Sequence, residues 1–227
     1  MRGWRFEMSL VLRPNNGLFV VLEGGDYTGK GTQAIRLAEH ILDLSEDNDV
    51  VITHEPTRRA LEIKRKLKEE DAYVDAERMA ELYVEDRVRH SRDFIRPNLE
   101  QGAIVIGNRY HLSTLVYQSI QGVSLTKLID MHIRPEIVTP DITILLDISP
   151  ETADKRAENR RESPERKFEQ RNFRNFVYQR YLEIALSDRY QEVFGNVEIV
   201  DGNESVDEVA KSVRGVFNLR YENWLEN

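Results

Sequence analysis

The chain has 227 residues, of which 40% are hydrophobic and 32% charged. That is enough apolar material for a sizeable core and excludes global disorder. No cysteine is present, which excludes disulfide frameworks, thiolate zinc sites and cysteine nucleophiles, and 32 Lys and Arg against 40 Asp and Glu give a net charge of −8, which disfavours nucleic acid as a partner.

In chain order, residues 1–16 read as an N-terminal extension closed by the turn Pro14-Asn15-Asn16-Gly17, with Met8 as an alternative start. Residues 17–227 then read as a single domain. Leu18 to Leu22 is a short apolar run, the pattern of a strand buried on both faces. A helix is expected over 30–44, a second strand over 50–53 and a strongly basic helix over about 57–70. One long helix is expected over about 75–101, with Val84, Val88, Ile95 and Leu99 on one stripe. Strands follow at 103–106, 142–148 and 197–200. Ser149-Pro150 and Ser205-x-x-Glu208 are helix-start signals, a cap followed by proline and a capping box. Alternation of this kind predicts an α/β fold, a five-stranded parallel sheet with helices on both faces. Ligands of such sheets bind at the carboxyl ends of the strands. The apolar runs are too short to span a bilayer and the N-terminus does not resemble a secretory signal, so no membrane partner and a cytoplasmic location are expected.

The sharpest motif is Gly24-Gly25-Asp26-Tyr27-Thr28-Gly29-Lys30-Gly31-Thr32, set between a predicted strand and a predicted helix. In that context it reads as a P-loop, which makes the fold a P-loop NTPase. Its glycines let successive N–H groups face phosphate oxygens, and Lys30 adds a full charge. The position after the lysine, ordinarily Ser or Thr to hold Mg2+, is Gly31, so the metal ligand must come from Thr32, from waters or from elsewhere in the chain. Two basic segments could meet further phosphates. Arg58–Lys68 carries six basic residues against Glu62, with Arg58 or Arg59 nearest the strand end. Lys155–Arg171 carries seven basic residues against four acids. Either could equally be a solvated charged face.

The order of LEGGDYTGKGTQ (22–33), HEP (54–56), ELYVEDRVRH (81–90), NRYHLSTLVYQ (108–118), PDITILLDISPETADKR (140–156), and KFEQRNF with YLEIA (167–173 and 181–185) resembles the thymidylate kinases, of the nucleoside monophosphate kinase group. The resemblance implies ATP as phosphoryl donor, Mg2+ as cofactor, dTMP as acceptor and a homodimer. It places Gly24 to Thr32 and Arg156 on ATP, and Lys30, Arg109 and the lid arginines Arg160, Arg161 and Arg166 in catalysis, with the small basic lid at about 155–171. It places Asp26, Glu55, Tyr83, Arg87, Arg109, Ser113 and Tyr117 on dTMP, with Gln118 beside them; Arg58, read from the charge of its segment, joins them on the acceptor phosphate. Tyr83 would stack on the base, Arg87 would donate to its 4-keto oxygen, and Tyr117 would stand where a ribose 2′-hydroxyl would clash. Asp201-Gly202 would lie beside the adenine. Asn108 stands where the family carries aspartate, so both usual metal anchors depart. A kinase of another nucleotide or nucleoside, and a catalytically weakened binding paralogue, stay open as alternatives.

Overall fold

In a computed structural model, the structure describes residues 17–67, 75–158 and 164–226, and the side chains of all of these but 164–172. The expected extension 1–16 lies outside the described residues.

Five strands form one parallel sheet in the order β2-β3-β1-β4-β5: β1 Leu18–Glu23, β2 Val50–His54, β3 Ile104–Asn108, β4 Ile142–Asp147 and β5 Val197–Asp201. β1 is buried along its whole length, as its unbroken apolar run requires of a central parallel strand. Its residues alternate between two cores. Leu18, Val20 and Leu22 pack with Ile104, Ile144 and Leu146 against α1 (Lys30–Leu44) and the C-terminal helix, through Leu37, Ile41 and Phe217. Phe19 and Val21 face the other side, against Val84, Ile95, Leu99 and Tyr110. Each such buried aliphatic side chain stabilises the fold by about 1.5–3 kcal/mol.

The remaining helices are α2 Leu61–Lys66, α3 Ala76–His90, α4 Arg96–Glu100, α5 His111–Ile120, α6 Leu125–His132, α7 Pro150–Glu158, α8 Pro164–Ala185, α9 Asp188–Phe194 and α10 Val206–Leu225. Ser149 Oγ accepts the Thr152 N–H at 3.1 Å, and Ser205 Oγ that of Glu208 at 3.3 Å. Both predicted helix starts therefore carry their serine cap; of the capping box, the Ser205 half is made.

Two expectations are corrected. The basic helix begins at Leu61 rather than 57, because Thr57 is bound elsewhere. Its N–H and hydroxyl both donate to the buried Asp86 carboxylate at 2.7 Å, and a turn from Thr57 to Ala60 precedes the helix. The long helix over 75–101 is continuous but not uniform: Ser91–Ile95 is a π-helical segment between α3 and α4. Pro97 has no N–H to give, and the turn before it widens so that Arg96 N reaches Ser91 O. The expected apolar stripe survives, with Val84, Val88, Ile95 and Leu99 in one cluster. Among the described residues, no helix is long and apolar enough to cross a membrane.

Candidate active site

The loop from Gly24 to Gly29 joins the carboxyl end of β1 to the amino end of α1. Gly29 takes φ +90° at the helix start, which side chains rarely adopt. A Cβ on Gly25 would run into the ring of Tyr178, which comes from α8 to lie on the loop and donates its hydroxyl to Asp26 O at 2.7 Å. Lys30 is buried and reaches back: its Nζ donates to Gly24 O at 2.9 Å, Gly25 O at 2.5 Å and Thr28 Oγ1 at 3.2 Å. Burial, and then the Arg109 charge, push its pKa well below the ordinary lysine range, against the pull of Asp26 and Glu23.

Arg109 follows β3 directly, with φ +68°. Its Nη1 donates to Gly24 O at 3.3 Å, Ser113 Oγ at 3.2 Å and Tyr181 OH at 3.1 Å, and its Nη2 to Asp26 Oδ1 at 2.5 Å. The carbonyl of Gly24 therefore accepts from both Lys30 and Arg109. Glu23, the last residue of β1, is fully buried and collects the Tyr110 and Ser113 N–H groups at 2.7 and 3.1 Å, and the Ser113 hydroxyl at 2.6 Å. It holds the start of α5 against the loop, since the first turn of a helix has N–H groups to satisfy.

A cleft of about 240 Å³ opens beside Arg109. Asp26, Glu55, Tyr83, Arg87, Arg109, Ser113 and Tyr117, seven of the eight residues expected on an acceptor, line it together. Arg58 does not; it is exposed on the turn before α2, as is Arg59, which sits 3.9 Å from Asp93. Pro56, Leu67 and Met79 form an apolar wall. The Tyr117 ring lies 5.4 Å from the Arg109 guanidinium.

Arg87 is only 1% exposed. Its Nε and Nη2 both meet Glu55 Oε2, at 2.8 and 2.6 Å, and Nη2 also donates to Thr114 Oγ1 at 3.1 Å. The other Glu55 oxygen accepts from His90 Nδ1 at 2.9 Å. Glu55 thus wedges α3 to the end of β2, and both of its oxygens serve other side chains. Gln118, on α5, is 2% exposed; among the described residues its Oε1 has no hydrogen-bond partner, and the residue lines the cleft.

On the opposite side of the loop, Arg156 bridges Tyr27 O at 3.1 Å and Gly202 O at 2.7 Å, which brings the Asp201-Gly202 turn beside the P-loop. Arg160 and Arg161 lie outside the described residues, and the side chain of Arg166 does too. Thr32 is exposed on the first turn of α1, and a Cβ on Gly31 would meet only Asn108 Nδ2, at 3.9 Å. Among the described residues, no group of three or more His, Asp or Glu could hold a metal ion.

Sequence reasoning missed Glu23, the Arg87 partners Thr114 and His132, and the loop-covering Tyr178. Glu23 carried a signal, a lone charge ending an all-apolar strand. The others carried none, because their partners lie tens of residues away.

A glycine loop between β1 and α1 at the carboxyl edge of a parallel sheet, with a cleft holding two arginine–carboxylate pairs alongside, is the arrangement of a P-loop kinase of two-substrate type. Comparison with known proteins narrows this. The family model described as Thymidylate kinase matches residues 22–213. A probable thymidylate kinase of Thermococcus gammatolerans is 33% identical over 210 residues, covering 88% of this chain and 95% of that one. The thymidylate kinases of Ruegeria pomeroyi (37% identical; 87% and 92% covered) and Caldicellulosiruptor saccharolyticus (31%; 89% and 96%) match to similar extent. The chain belongs to the thymidylate kinase family.

Proposed function

We propose that the protein transfers the γ-phosphoryl group of ATP to dTMP, giving ADP and dTDP, with ATP on the glycine loop and dTMP in the cleft. The observation that carries this reading is the meeting of Lys30 and Arg109 on the Gly24 carbonyl. One cation belongs to the loop and the other to the cleft, so two phosphate groups held by them would face each other end to end. Phosphoryl transfer asks little else of a protein: positioning, and neutralisation of the charge that spreads over the transferring group. Lys30 and the loop N–H groups take the donor phosphates; Arg109 takes the acceptor phosphate, with Asp26 as its counter-charge. Arg156 lies on the adenine side. Arg160, Arg161 and Arg166 remain the candidates for the charge that a closing lid supplies.

The cleft complements the base. Arg87 offers a donor and Gln118 an unsatisfied acceptor, and thymine presents a 4-keto acceptor next to its N3–H donor. Cytosine presents the reverse pattern. The apolar wall suits a 5-methyl group, Tyr83 a stacking partner, and Tyr117 a sugar without a 2′-hydroxyl.

The donor set near the loop fits an Mg2+ carried by nucleotide phosphates and water, in the manner usual for this ion, and does not fit an ion held mainly by the protein. Thr32 would be its ligand from the chain. When bound, the ion supplies neutralisation of the β- and γ-phosphate charge. We also read the protein as a cytoplasmic homodimer that binds neither nucleic acid nor membrane. The resemblance supports the dimer, and the net charge of −8 supports the absence of nucleic acid.

A panel of deoxy- and ribonucleoside monophosphates with Mg-ATP, following ADP release, tests the assignment. dTMP is expected to be the best acceptor, followed by dUMP. Preference for dCMP or an adenine nucleotide would overturn the base assignment, and nucleotide binding with no turnover of any acceptor would select a binding role instead.

A further inference from the structure

Arg87 has five N–H donors. Glu55 Oε2 takes those of Nε and one of Nη2, Thr114 Oγ1 takes the second of Nη2, and His132 Nε2 takes one of Nη1. One Nη1 hydrogen is left without an acceptor among the described residues, on a side chain that lines the cleft. Both Glu55 bonds end on the same oxygen, so alone they let the guanidinium plane rock about that atom. Thr114 and His132 hold the far corner.

The His132 ring is itself fixed. It ends α6, is 2% exposed, and its Nδ1 donates to Leu128 O at 2.6 Å. His111 and Phe194 lie edge-on to it at 6.4 and 6.3 Å. Burial, and then the charge of Arg87, push its pKa down to about 3, so the ring is neutral and Nε2 carries a lone pair. A histidine needed only to fill this space could be any apolar residue, whereas here its one acceptor atom is spent on the base-facing arginine.

We propose that His132 is a positioning residue for base selectivity: by accepting one Nη1 hydrogen of Arg87, it turns the remaining one toward the 4-keto oxygen of the bound base. This rests on the reading of the cleft as the dTMP site. His132 touches no substrate; it acts by preorganising the group that does.

The test compares His132→Phe, His132→Gln and Arg87→Ala by steady-state kinetics with dTMP and dCMP, and by thermal melting. In His132→Phe the KM for dTMP is expected to rise about tenfold and the preference for dTMP over dCMP to fall by a similar factor, as loss of a partner to a buried charged donor implies. The KM for ATP and the kcat at saturating dTMP should stay within about twofold. His132→Gln should recover most of the loss, because its Oε1 can accept in place of Nε2. Equal losses in the Phe and Gln variants, or native behaviour in the Phe variant while Arg87→Ala loses selectivity, would overturn the proposal. Native selectivity in Arg87→Ala would instead overturn the base site on which it rests. Should His132→Phe melt too low to assay, Thr114→Val removes the other far-corner acceptor; the same KM-selective loss is expected, and an unchanged KM for dTMP would count against the idea.

Discussion

The glycine loop and the cleft beside it, which we assign to donor and acceptor, are built on different principles. The loop is mostly main chain, a run of six residues from Gly24 to Gly29 between β1 and α1, with one buried lysine. The cleft is mostly side chains, gathered from the loop, the end of β2, α3 and α5, and held by the buried group of Glu55, Arg87, His90 and His132. A triphosphate tail is the same in every nucleotide, so main-chain N–H groups suffice to hold it. A base must be told from its near relatives, and that takes donors and acceptors whose directions are locked.

The comparison can be broken most sharply at Lys30. Lys30→Ala is expected to lower kcat at least about a hundredfold, the scale seen when one charge-stabilising donor is removed, while melting stays cooperative. Near-native turnover would show that the loop does not hold the reacting phosphate. A smaller effect is expected at Gly25→Ala, where the new Cβ collides with Tyr178. It should raise the KM for ATP several-fold, about 1 kcal/mol and the low end of what overpacking costs, with the KM for dTMP nearly unmoved. A parallel rise for both substrates would mean that loop and cleft are not separable. The smallest effect is a proton count. Burial and Arg109 lower the Lys30 pKa in the free protein, and an anionic triphosphate raises it. Between the lowered value and the ordinary 10.5, ATP binding should therefore take up a proton, measurable as a buffer-dependent heat in calorimetry. Proton release, or no exchange in alkaline buffer, would contradict the assignment of Lys30.

The same contrast explains what could be read from the amino-acid sequence. The loop is local: its glycines, lysine and flanking strand and helix lie within about twenty residues, and the structure places them as expected. The three central strands were legible because strands buried on both faces leave short apolar runs; the edge strands β2 and β5 are half-exposed and were legible as short β-branched stretches within the strand–helix alternation. The cleft is non-local. Arg87 meets Glu55 across 32 positions and His132 across 45, and no periodicity encodes such a meeting. Resemblance supplied Arg87, Tyr83 and Glu55, but not the pairing of Glu55 with Arg87, nor the His132 imidazole behind it. α6, α8 and α9 also escaped notice. α8 in particular mixes charged and aromatic residues around its whole circumference, because it packs on the loop through Tyr178 and on the second core through Val177 and Tyr181. The Arg58 expectation rested on the charge of its segment, and charge alone does not say which way a side chain on an exposed turn faces.

The most direct measurement is the ratio of kcat/KM for dTMP to that for dCMP, in the native protein and in Arg87→Ala. A locked donor beside the base should give the native protein a ratio of at least about a hundred, and its loss should bring the two substrates to within roughly tenfold of each other. An unchanged ratio in Arg87→Ala would show that the base is read elsewhere, and the account of the cleft would fail with it.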